Sequence, residues 1–218
     1  MKKLDRSYPG DDAIRRILAR YRCPSRFHVV RMRFWGDIVS PSLNTSPIKT
    51  VKSLWPDGLP TFETADEANR FFQALLGLWN RMSKFQSGSP PLKLQKIGQI
   101  DTRDALHDAA KLRVEELHDG FMYGFTGGNR HLDVPPGVSD LLARVEKGIE
   151  LLATTRNTFA RPPGSDDDAM LAELTNAFPV VDRAIQSDLN EIAIACQASR
   201  KAQIQELKGT AQTKGMPH

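Results

Sequence analysis

Thr64 followed three residues later by Glu67 forms a capping box, in which each side chain satisfies an orphan backbone N–H at a helix start. Behind it Ala68, Phe71, Phe72, Leu75, Leu76, Trp79 and Met82 recur at helical spacing. This pattern predicts one long amphipathic helix running to about Phe85, with an almost wholly apolar face that needs cover. A second stripe of Val181, Ile185, Leu189, Ile192 and Cys196 keeps the same period behind Pro179. The two stripes are expected to pack against each other as the centre of the molecule.

The other elements read as helices too. Asp11 or Asp12 caps a helix carrying Ile14, Ile17, Leu18 and Tyr21, which ends at Pro24. Ser25 starts a second, through Val29, Val30, Phe34, Trp35 and Ile38. Four prolines in residues 40–61 predict an ordered loop with at most a short helix near Pro47–Leu54. From about Asp101 a helix with Leu106, Ala110, Val114, Leu117 and Phe121 runs to Gly124 or Phe125 and stops at Gly127-Gly128. Pro135-Pro136-Gly137 leads into a helix with Leu141, Val145, Ile149 and Leu152. Asp166–Asp168 open a short helix through Leu174, and Pro179 opens the last one. Alternating strand patterns are absent. The fold class is all-α, an orthogonal bundle of about seven helices, bilobed if the turn-rich break at 86–100 separates two parts. Residues 209–218 lack apolar content and read as a disordered tail.

At 218 residues the chain buries a sizeable core without metal or disulfide. Cys23 and Cys196 belong to no Cys/His motif and read as free thiols. Met1-Lys2-Lys3 is followed by charged residues rather than an apolar run, so the expected location is the cytoplasm, and no stretch suits a membrane span. Net charge is +4, but its distribution is uneven. Residues 1–34 hold ten Lys/Arg against three Asp, while the rest of the chain is slightly acidic.

Three segments, in order, resemble the YecA/YgfB-like family of bacterial proteins. Trp35-Gly36-Asp37-Ile38-Val39-Ser40-Pro41 leads through the Pro-rich loop into Phe62, Glu67, Leu75-Leu76 and Asn80. His118-Asp119-Gly120-Phe121-Met122-Tyr123-Gly124 is similar to the family's Trp-x-x-Gly-Phe-x-x-Gly, with His118 in the Trp position. Leu171-Ala172-Glu173-Leu174, then Ala177-Phe178-Pro179-Val180-Val181 and Ala184-Ile185, looks like its terminal helix pair. The resemblance spans roughly residues 12 to 195. It implies an all-α, metal-free core, no cofactor, and an interaction or regulatory protein rather than an enzyme.

Direct signs of chemistry are few. His107-Asp108 and His118-Asp119 evoke metal-dependent hydrolases. Eleven residues is close to three helical turns, which would put both histidines on one face but about 16 Å apart, too far to share a metal. Gly120, Gly124 and Gly127-Gly128 lie within and after a helix, where they serve packing and termination rather than phosphate binding. Cys23 with His28 has no motif context for nucleophilic catalysis. The strongest surface signal is Arg15, Arg16, Arg20, Arg22, Arg26, Arg31 and Arg33, interleaved with Tyr21, Phe27 and Trp35. Such a basic face suits a protein partner or a second copy of the chain. Nucleic acid is the alternative, with arginines on phosphates and aromatics on bases. The expected function is thus a non-catalytic interaction or regulatory module working through these arginines.

Overall fold

The computed structural model describes residues 8–43, 45–128, 132–162 and 167–213. Among them there is no strand, and these residues form seven helices, with a short 3-10 turn at Ser83–Phe85. They are α1 (Asp11–Arg20), α2 (Phe27–Val39), α3 (Pro47–Lys52), α4 (Ala65–Met82), the composite α5, α6 (Val138–Phe159) and α7 (Asp167–Thr213). The fifth is α-helical over Arg103–Val114, π-helical over Glu115–Met122 and α-helical again over Tyr123–Thr126.

Local chemistry sets most of the boundaries. Thr64 accepts from the Glu67 N–H at 3.1 Å, while the Glu67 carboxylate reaches back to the Glu63 N–H at 2.8 Å, one residue before the cap. Thr102 caps α5 by accepting from Ala105 N–H, and Ser46 caps α3, where Pro47 sits at the first helical position. Gly127 ends α5 in the left-handed conformation at φ 60°.

Helix α2 is the axis of the molecule. Nearly all its residues are buried, and it packs against α1, α3, α4, α5 and α7. Both sequence stripes are indeed core, but they do not meet chiefly each other. Helix α4 packs on α1, α2 and α3, whereas α7 packs on α6, α5 and α2. One contiguous apolar cluster runs from Ile14 and Leu18 through Trp35, Phe71 and Phe121 to Leu189 and Cys196.

Glycines let α2 and α5 approach closely. A Cβ on Gly36 would strike Phe121 O and lie 2.8 Å from Phe125 N; one on Gly124 would strike Arg33 O. A Cβ on Gly120 would come within 2.7 Å of Met32 Cβ. These glycines therefore act as helix-crossing residues, backbone against backbone.

Two expectations need correction. Pro179 does not open a helix: Asp167–Thr213 is continuous through it, so the terminal pair implied by the family resemblance is one rod. A mid-helix proline costs about 3 kcal/mol. Here it stands on the solvent side, with Pro179 and Val180 exposed, while Phe178 and Ile185 on the inner face are buried and hold both halves in line. The same helix also carries on past Gly209 to Thr213; residues 214–218 of the expected tail lie outside the described residues.

The break at 86–100 is an extended strap pinned to the bundle. Leu92 and Leu94 point inward at alternate positions. Gln186 of α7 donates to Leu92 O and accepts from Leu94 N–H at 2.8 Å. Arg31 donates to Lys93 O at 3.0 Å, Glu116 accepts from Gln95 N–H at 3.0 Å, and Arg113 donates to Gln95 O at 3.1 Å. Side chains from three helices thus satisfy the strap as a neighbouring strand would.

Candidate functional site

The seven arginines divide into two groups. Arg31 and Arg33 are structural cross-links. Arg31 bonds Glu116 at 2.8 Å besides the strap carbonyl, and Arg33 donates to Asp119 O and to Ser53 O at 3.1 Å. Arg15, Arg16, Arg20, Arg22 and Arg26 stay on the outside. Of these, Arg20 pairs with Glu67 at 2.6 Å, Arg26 with Glu115 at 3.5 Å and Arg15 with Asp12 at 3.3 Å. Arg16 and Arg22 have no ion-pair partner among the described residues. Carboxylates from α4 and α5 therefore neutralise part of a basic excess that in sequence looks unopposed.

The interleaved aromatics turn inward. Trp35 is fully buried, Phe27 is buried under the Arg15 guanidinium, which lies 4.6 Å above its ring, and Tyr21 gives its hydroxyl to Glu67 at 2.8 Å. Tyr21 also meets Phe62 and Phe71 edge-on. None of the three is presented as a free stacking platform.

Between the end of α1 and the start of α2 the surface forms a shallow groove of about 390 Å³. Arg15 and Arg26 stand on its rim; Leu18, Ala19, Cys23 and Phe27 make an apolar floor. The connection has one tight feature: Arg22 adopts φ 49°, which reverses the chain so that Cys23 N–H bonds back to Leu18 O. His28 lies beside the floor, its Nε2 3.1 Å from Glu115 Oε2. Burial lowers the His28 pKa below its ordinary value, only partly offset by Glu115 and Glu116, so the ring is held neutral.

Cys23 and His28 form no nucleophile–base pair at the groove. Burial pushes the Cys23 thiol pKa up, which disfavours the thiolate, and its hydrogen bond goes to Leu54 O rather than to a base. His28 is committed to Glu115, so Cys23 and His28 are not joined. Cys196 is buried and free, its pKa pushed up to about 12.

The other histidines part company. His107 Nδ1 bonds Arg156 O of α6 at 3.0 Å, whereas His118 is exposed and bonds its neighbour Asp119 at 2.7 Å. The π-helical turns from Glu115 onward shift the 3.6-residue phase on which the expectation of a shared face rests. No group of three or more His, Cys, Asp or Glu among the described residues is arranged to hold a metal. Nor is any described helix long and apolar enough to cross a membrane.

Sequence reasoning missed a buried ionic cluster. Glu116 is 0% exposed and binds Arg113, itself 1% exposed, together with Arg31 and the strap. Arg113 continues to Asp182 of α7 at 2.6 Å. A charged pair at i,i+3 reads as a solvated helix face, and only the fold reveals that it is enclosed.

Comparison with protein-family models, curated proteins and solved structures gave no match.

Proposed function

We propose that this protein is a non-catalytic interaction module that receives an acidic, partly apolar segment of a partner protein in the groove between α1 and α2. The observation that carries this reading is the separation of charge from aromatics. Guanidinium groups of Arg15 and Arg26 rim an apolar floor that includes one edge of the largely buried Phe27, with Arg16 and Arg22 outward and without ion-pair partners among the described residues, while Tyr21 and Trp35 are spent in the core. A peptide carboxylate on the rim and a small apolar side chain on the floor would use both parts. Single-stranded nucleic acid draws much of its affinity from exposed aromatic faces, so the inward aromatics favour protein over nucleic acid. The YecA/YgfB-like affiliation and a cytoplasmic setting belong to the same proposal. Support for the affiliation is the role of its motif residues, since Gly36, Gly120 and Gly124 all sit at the α2–α5 crossing.

The test is affinity capture from the native lysate, with and without nuclease, using the wild type and an Arg15→Glu/Arg26→Glu variant. A defined protein retained by the wild type after nuclease, released by salt and missing from the variant is expected. Retention of nucleic acid alone, or identical capture by both proteins, would reject the reading.

A further inference from the structure

At the opposite end of α2 a second cavity, of about 350 Å³, opens between α2, α3 and the end of α5. Its size lies at the lower end of the range for metabolite sites, roughly 300–1,000 Å³. Its walls are mostly polar, and Arg33 lies at its inner side.

Arg33 is 9% exposed and, among the described residues, forms no ion pair within 4.0 Å; its guanidinium bonds the carbonyls of Asp119 and Ser53 and stacks 4.2 Å from the Tyr123 ring. Burial pulls its pKa down, the sign of an under-compensated cation. The nearby Asp119 carboxylate is turned to His118. A buried charge is costly unless an opposite charge meets it. Of five guanidinium N–H groups three are used, leaving one on each terminal nitrogen.

The remaining donors complete the picture. Lys49 stands at the cavity rim. Ser40 and Ser46 accept hydrogen bonds from the backbone N–H of Ser42 and Lys49, so their own hydroxyl protons stay available. Asp37 accepts from Thr50 on Oδ2 at 2.8 Å, and its Oδ1 has no partner among the described residues.

We infer that this cavity binds a small phosphorylated, hydroxyl-bearing metabolite. The phosphate meets Arg33, Lys49 and the serine hydroxyls, and Asp37 accepts from a ligand hydroxyl. Phosphate is favoured over carboxylate by the number of donors that remain. Asp119 O occupies only the Nε–Nη2 edge, so one N–H remains on each terminal nitrogen. With the Lys49 ammonium and two serine hydroxyls, these suit the three terminal oxygens of a phosphate ester better than the two of a carboxylate. The donors left over come from several directions, as a tetrahedral anion requires.

Calorimetric titration of the full chain with glycerol 3-phosphate, inorganic phosphate, glycerate and glycerol tests this. Lys49→Glu perturbs the site; Arg33 is left intact because its carbonyl bonds tie α2 to α5 and to the residue after α3. Arg16→Glu is the control, with the same charge change outside the cavity. The expected result is saturable binding of glycerol 3-phosphate, weaker binding of phosphate and none of glycerol. Lys49→Glu should weaken it about tenfold or more and Arg16→Glu less than about twofold. Absence of saturation up to about 10 mM, beyond which affinity is negligible, would overturn the inference. So would equal losses in both variants, or a preference for glycerate.

Discussion

Gly124 shows how a single missing carbon decides a contact. A Cβ there would meet Arg33 O and lie within 3.0 Å of Arg33 Cα, which are backbone atoms that cannot rotate away. Gly124→Ala must therefore push α2 and α5 apart, at a cost of about 2 kcal/mol or more by overpacking. Gly98 has nothing within 4 Å of the same position, and its φ lies outside the left-handed region. Gly98→Ala should be neutral or up to about 1 kcal/mol stabilising through the unfolded state. Urea denaturation of both variants checks the contrast; equal effects would mean that the crossing is looser than the glycines imply. The same helix contact places Arg33, so Gly124→Ala should also distort the α3-side cavity.

At the scale of elements, the strap over 86–100 depends on Glu116. That carboxylate has no solvent contact and receives Arg113, Arg31 and the Gln95 N–H. Glu116→Ala removes the shared partner of buried Arg113, which keeps Asp182, and of half-buried Arg31, and leaves the Gln95 N–H unpaired, a loss of about 1–3 kcal/mol. The strap should then become the first site of proteolytic cleavage. Limited proteolysis with mass mapping reads this, and cleavage elsewhere at unchanged rate would argue that Leu92 and Leu94 hold the strap unaided. Elements of this kind separate what the sequence makes legible from what it hides. The α4 helix is readable because its cap and its stripe are local, within Thr64–Met82. The strap is not, because Leu92 and Leu94 meet Gln186 more than ninety residues later. The π-helical turns are hidden for a related reason: nothing local separates Glu115–Met122 from an α-helix, and the α2 contact selects the wider winding. Pro179 misleads because breaking a helix is a propensity of about 3 kcal/mol, and inner-face packing around Phe178 and Ile185 exceeds it. Of the candidate groove, the arginines are legible as residues, but their partition into outward and internal ones depends on the remote carboxylates Glu67, Glu115 and Glu116.

For the whole molecule, α2 determines whether the two halves of the chain behave as one body. It faces α1, α3 and α4 on one side and α5 and α7 on the other, so neither half closes its core without it. The strap adds polar bonds that run from Leu92–Gln95 to α2, α5 and α7 together. A lobe boundary at 86–100 would need few contacts to cross it, and this segment instead joins the elements on either side. The distribution of chromophores makes the point measurable. Trp35, Trp55 and Trp79 all belong to the first half, whereas α6 and α7 carry much of the helical signal and no tryptophan. Tryptophan fluorescence therefore reports the first half, and far-ultraviolet circular dichroism weights the second. Coincident denaturation curves from the two probes are expected, as for one cooperative unit. Separated midpoints would instead mean that α6 and α7 melt independently of the α2 core. In that case ligand binding beside Arg33 should shift only the fluorescence transition, because the cavity is built from residues 33–53 and the end of α5. In the cooperative case a phosphorylated ligand moves both curves by the same increment, and the size of that common shift measures how firmly the cavity is coupled to the bundle.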